Sequence, residues 1–126
     1  MVGLSKTIEG DNNGDLTFEW KLITLLKLYA DVSVVDHSGK TALNYAAANG
    51  NVEIIKLLVA HGADVNRQTE NDLTSLMWAV GYGKTEAVDA LLKLGADPTI
   101  KDNRGLTALM IAKENNYSEI VKLLKP

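Results

Sequence analysis

Three segments of the chain align without a gap at a spacing of 33 residues: DHSGKTALNYAAANGNVEIIKLLVAHGADVN, TENDLTSLMWAVGYGKTEAVDALLKLGADPT and DNRGLTALMIAKENNYSEIVKLLK. Thr41, Thr74 and Thr107 keep that spacing, as do Leu43, Leu76 and Leu109, and Ala46, Ala79 and Ala112. Gly62-Ala63-Asp64 recurs as Gly95-Ala96-Asp97. No other property constrains the fold as strongly. A repeat of this size is one supersecondary unit that cannot bury its apolar face alone, so the copies must stack.

Each unit reads as turn, short helix, tight loop, longer helix and loop. The three threonines stand just before an apolar-periodic run, where a hydroxyl can accept from the first free N–H groups of a helix. In the second helix Val52, Ile55, Leu58 and Val59 fall at i, i+3, i+6 and i+7, the spacing of one helical face. Gly62 and Gly95 follow as helix stops.

These features resemble the ankyrin repeat family, whose unit carries Asp-x-x-Gly-x-Thr-Pro-Leu-His, then Ala-Ala, Gly, a Leu-Leu pair and Gly-Ala-Asp. The match covers residues 36 to 125, with a divergent unit before it. The resemblance implies an all-α ankyrin-repeat solenoid of stacked helix-turn-helix units with β-turn or hairpin tips. Residues 1–126 then form a single domain: a divergent N-terminal capping unit (1–35), repeats at 36–68 and 69–101, and a C-terminal capping repeat (102–126). The chain departs from the family where Thr-Pro-Leu-His reads TALN, TSLM and TALM. The proline that preorganises the first helical position is absent. The family histidine ties neighbouring repeats, and Asn44 can replace it, whereas Met77 and Met110 must act by packing. The turn glycine of Gly39 and Gly105 becomes Asp72, which has to accept a left-handed backbone.

The ends of the array follow from polarity. Ala47 and Val80 are apolar, while the equivalent Lys113 would be buried by a further repeat at large cost, so the array is expected to end with residue 126. At the other end, Ala30-Asp31 is in phase with Ala63-Asp64, and Leu22, Leu25 and Leu26 are expected to face the next repeat. Lys21 stands where Ile54 is apolar, and the first helix is reduced to LSKTIEG. Leu16, Trp20 and Ile23 form a second apolar stripe. Either residues 1–13 fold back over it, or it is a contact surface for a partner, a second copy or further sequence.

Composition removes several function classes. The apolar fraction of 46% and charged fraction of 23% are those of an ordinary soluble domain, and the net charge of −3 comes without basic clusters, so no nucleic acid is expected. With no cysteine, disulfides, thiol catalysis and thiolate metal sites are excluded. No apolar run approaches the roughly 20 residues that span a bilayer, and the opening residues are too polar for a secretory signal; no membrane and a cytoplasmic location are the default expectations.

Individual motifs also have plain structural readings. Gly83-Lys84-Thr85 copies the end of a phosphate-binding loop, but the glycine required five residues earlier is Trp78. The alignment instead makes Gly83 the tight turn equivalent to Gly50 and Asn116, with Lys84 and Thr85 opening the second helix. His37 and His61 lack the spacing of a metal site. No Ser-His-Asp arrangement is brought together, and Glu70 with Asp72 sits in a solvated turn. Asn116-Tyr117-Ser118 matches a glycosylation sequon without a secretory context. Trp78, Tyr45 and Ile111 occupy equivalent places and are expected in the core rather than in an aromatic binding stripe, and Met77 and Met110 are expected to fill gaps.

No enzyme activity, cofactor or metal is therefore expected. The resemblance implies a protein–protein interaction module that binds through the turn tips and the exposed side of the first helices, on the concave face. Carried over by position, the partner-binding candidates are His37, Lys40 and Asn49 with Ser38 and Ala48; Glu70, Asn71, Leu73 and Tyr82 with Gly81; and Arg104, Leu106 and Asn115 with Asn103 and Glu114. Tyr82, Leu73, Leu106 and Arg104 are the expected hot spot, with Leu73 and Leu106 apolar at places expected to be exposed and Ala48 and Gly81 keeping the groove open. A monomer is expected rather than a homodimer. The alternatives are a self-associating assembly element or a regulatory fragment of a larger protein.

Overall fold

The computed structural model describes residues 32–125, and the stripe of Leu16, Trp20 and Ile23, like the rest of the divergent first unit up to Asp31, lies outside them. Among the described residues six helices follow one another as three pairs: α1 (Ala42–Asn49) and α2 (Val52–Ala60), α3 (Ser75–Gly81) and α4 (Thr85–Lys93), α5 (Ala108–Glu114) and α6 (Ser118–Leu124). A 3₁₀ turn spans Glu70–Asp72, and the described residues hold no strand. The first helices pack on one another in the order α1, α3, α5 and the second helices in the order α2, α4, α6. The result is a two-layer helical solenoid.

The helix starts are set by the three predicted threonines. The hydroxyl of Thr41 accepts from the N–H of Asn44 at 3.2 Å, that of Thr74 from Met77 at 3.2 Å and that of Thr107 from Met110 at 3.3 Å. In the second helices only Asn51 caps with its side chain, accepting from Ile54 N–H at 3.1 Å. Lys84 and Tyr117 hold the same position without a cap bond and instead lie against the turn glycine of the preceding pair. Lys84 covers Gly50, and the Tyr117 ring covers Gly83.

Gly83 has φ +69°, as its equivalents Gly50 and Asn116 have +74° and +59°. It is the tight turn read from the alignment, and the phosphate-loop reading falls with it. Asp72 takes φ +60° as expected, but its neighbour Asn71 is also left-handed at +63°. Two successive left-handed residues make the second tip a different turn from those at Gly39 and Gly105.

The core is built from the periodic residues. Leu43 and Leu76 are buried, as are Ala46, Ala79 and Ala112, where small side chains let the helices approach closely. Leu109 is only half-buried. In α2 the buried residues are Ile54, Ile55 and Leu58, whereas Val52 and Val59 are half-buried, so the apolar face is centred one residue away from the predicted stripe. Met77 is buried at 3% exposure and Met110 is 44% exposed. The expectation that Met110 fills a gap is therefore wrong: its position is closed by a following unit, and none stacks there among the described residues.

Candidate functional site

The turn tips are held by the residues that begin each unit. The carboxylate of Asp36 accepts from Ser38 N–H at 2.9 Å, Ser38 Oγ at 2.7 Å and Lys40 N–H at 3.1 Å, and its other oxygen accepts from the Tyr45 hydroxyl. The Tyr45 and Ser38 hydroxyls, with the Lys40 backbone N–H, hold the Asp36 carboxyl well below the usual range. Asp102 repeats the arrangement, accepting from Arg104 N–H at 2.8 Å and Leu106 N–H at 2.9 Å. Burial is the largest single influence on Asp102 and pushes its carboxyl up, but the bonds from Leu106 and Arg104 together outweigh it and leave it lowered. The middle unit has Thr69 in place of the aspartate, and its hydroxyl turns inward to donate to Asn44 Oδ1 at 2.9 Å.

Each tip is closed at its base by the same backbone bond. Asp36 N–H donates to Lys40 O, Thr69 N–H to Leu73 O and Asp102 N–H to Leu106 O. Positions 40, 73 and 106 thus lie at the base of the loop rather than its apex, and all three are half-buried. This corrects the expectation that Leu73 and Leu106 stand out as exposed apolar contacts. Arg104 is engaged too: its guanidinium grips Asp102 Oδ2 from Nη2 at 2.8 Å and Nε at 3.1 Å.

The remaining candidates separate into two groups. His37 and Glu70 are exposed at the tips. Asn71 and Asn103 join adjacent tips, with Asn103 N–H donating to Asn71 O at 3.0 Å and the side chains meeting at 3.3 Å. Asn115 bends back to its own helix, donating to Ile111 O at 2.9 Å. By contrast Lys40, Asn49 and Tyr82, with Ala48, come together around one pocket of about 280 Å³ on the face of the first helices.

The other walls of that pocket come from Asn44, Tyr45, Trp78 and Lys84. The Lys40 ammonium lies 4.8 Å from the centre of the Trp78 ring and 5.6 Å from that of Tyr45. Trp78 stacks on Tyr82 with ring centroids 6.2 Å apart and planes 15° from parallel. Tyr82 is 59% exposed, Tyr45 39% exposed and Trp78 half-buried, with its Nε1–H buried and without an acceptor. Of the three residues expected in the core, only Ile111 is buried. Tyr45 and Trp78 are pocket walls. The signal that could have found them is the offset of four residues between Trp78 and Tyr82, which puts both rings on one helical face.

Chains similar to this one carry the same repeat. A stretch of 55 residues is 44% identical to palmitoyltransferase akr1 of Schizosaccharomyces pombe, covering 44% of this chain and 8% of that protein. A stretch of 53 residues is 43% identical to neurogenic locus notch homolog protein 2 of Homo sapiens, covering 42% of this chain and 2% of that one. A third, of 44 residues, is 34% identical to the NF-kappa-B inhibitor cactus of Drosophila yakuba, covering 35% of this chain and 9% of that protein. The chain spans less than a tenth of the length of each relative. The family profile described as ankyrin repeats (3 copies) matches residues 12–102 and 69–126. Ankyrin repeats are in general protein–protein interaction modules, and by this match over most of its length the chain belongs to the ankyrin repeat family.

Proposed function

We propose that this chain is a non-catalytic module that binds a partner protein through the face of its first helices and the adjoining turn tips. The supporting observation is the pocket of Tyr45, Trp78 and Tyr82 around Lys40: large ring surface left accessible on a soluble solenoid, already ordered by stacking and cation–π contact. Ordered rings lose little freedom on binding, so contact area there converts well into affinity. Tyr82, Lys40 and Asn49 carry the contact, with Tyr45 and Trp78 in the place first given to Leu73 and Leu106.

The test is a photo-crosslinking amino acid put in place of Tyr82 or, on the second-helix layer, in place of the exposed Lys93. In a lysate of the source cell, the substitution at Tyr82 should give a crosslinked protein that excess wild-type chain competes away, and the one at Lys93 should not. Crosslinking from Lys93 alone, or equally from both, contradicts the assignment of the face.

A further inference from the structure

The pocket has a sign as well as a shape. Its lining includes two lysines, Lys40 and Lys84, and no acidic residue. The carboxylate of Asp36, which meets the pocket-wall residue Tyr45, is turned into its own loop and taken up by Tyr45 and Ser38. Glu70 lies beside Gly39 at the neighbouring tip, outside the pocket wall. This local excess of positive charge sits in a chain of net charge −3, so it is opposite in sign to the molecule that carries it. Nor does the repeat generate it automatically. One unit on, the positions of Lys40 and Trp78 hold Leu73 and Ile111, and the position of Lys84 holds Tyr117.

An ammonium held over ring faces keeps N–H donors free on its other side. With a volume of about 280 Å³ the pocket falls below the range of roughly 300 Å³ upward typical of sites for drug-sized ligands, but it has room for one or two side chains. The exposed ring of Tyr82 offers an apolar surface at one edge, and the exposed Asn49 offers an amide at another.

We propose that the pocket recognises an acidic peptide segment, with a glutamate or aspartate carboxylate set between Lys40 and Lys84 and an adjacent apolar side chain laid against Tyr82 and Trp78. This rests on the reading that the first-helix face binds protein, and it names the chemistry of what is bound. The carboxylate accepts charge-assisted hydrogen bonds from the two ammonium groups. The apolar neighbour covers the stacked rings and shields those bonds from water.

The chain holds two tryptophans, Trp20 and Trp78, so comparison with Trp20→Phe assigns the Trp78 indole N–H resonance in the full ¹⁵N-labelled protein. The probe is a short acetylated and amidated peptide alternating glutamate and leucine, beside versions with glutamine or phosphoserine in place of glutamate. The glutamate peptide should move the Trp78 resonance saturably, and the glutamine version should bind about tenfold more weakly. Lys84→Gln and Lys40→Gln should each weaken the glutamate peptide by about fivefold, Lys84→Arg should restore it, and added salt should weaken it further.

Equal binding of the glutamine version, or no effect of either lysine substitution in a folded protein, overturns the proposal. So does binding of the phosphoserine version alone, which would assign the pocket to phosphate. Failure of the glutamate peptide while Tyr82 still crosslinks a partner removes only the acidic assignment. Failure of both removes the binding face itself.

Discussion

At the scale of the residue, Asn44 shows how one side chain joins two units. It is 2% exposed, and its amide donates to Ser75 Oγ at 3.0 Å while its oxygen accepts from Thr69 Oγ1 at 2.9 Å and Thr41 N–H at 3.0 Å. Asn44→Ala should lower stability by about 2–3 kcal/mol, because it leaves buried donors and hydroxyls unpaired. A double-mutant cycle with Ser75→Ala should show coupling of about 1 kcal/mol in chemical denaturation, and strict additivity would contradict the bond. At the next junction the equivalents are Met77, Asp102 and Ala108, and the Met77 sulfur accepts the Thr74 N–H of its own unit at 3.5 Å, a weak bond. Met77→Leu should therefore cost less than about 1.5 kcal/mol. The inward role of Asn44 was legible because it stands where the family has a histidine. Its partner Ser75 was not, since a serine just inside a helix looks like one more capping residue. Tyr45 was misread for a related reason: equivalence to Ile111 fixes the place in the unit, but the side chain there meets whatever the neighbouring unit presents.

At the scale of the element, caps and turns follow the sequence closely and the tips do not. Thr41, Thr74 and Thr107 start their helices where the repeat places them, each by the same bond. The second tip loses both the aspartate and the glycine of its neighbours and closes with two left-handed residues instead. That departure at Asp72 was visible; the compensating shift at Asn71 depends on the loop as a whole. Half-burial of Leu73 and Leu106 was hidden because position in the alignment does not distinguish base from apex of a loop. The turn between paired helices gives a sharper test. A Cβ at Gly83 would stand 3.1 Å from the Tyr117 ring and force a left-handed alanine, whereas at Gly62, with φ +97°, it would meet nothing within 4 Å. Gly83→Ala should cost about 2 kcal/mol or more, and Gly62→Ala about 1 kcal/mol, in urea unfolding. Equal losses would mean that the Tyr117 contact contributes nothing.

At the scale of the molecule, the two layers hold together through neighbour contacts, so the middle unit matters most. Leu76 is 1% exposed in α3, which packs on both α1 and α5, and Leu76→Ala should cost roughly 2–5 kcal/mol. A loss below about 0.5 kcal/mol would contradict the register. Acid sensitivity follows from the loop carboxylates. Asp36, Asp97 and Asp102 all titrate below their ordinary value of 3.8, Asp97 because it accepts from the hydroxyl and N–H of Thr99. In the range below that value the unfolded chain binds more protons than the folded one, so their contribution is complete above it and is lost as pH falls through the folded values. The urea midpoint should thus be nearly insensitive to these groups from about pH 7 to pH 5 and fall below about pH 4. Asp102→Asn should make that acid slope shallower, and an unchanged slope would contradict the role of its bonds.

The central claim, that the first-helix face around Tyr82 is where this chain meets its partner, is tested most directly by affinity. With the partner recovered by crosslinking, the dissociation constant of Tyr82→Ala should be measured beside Lys93→Ala in the full chain, both checked for intact folding. Truncation of a central ring should weaken binding by about tenfold or more, and the change on the second-helix layer should leave it within about twofold. Equal affinity of the two variants would contradict the account.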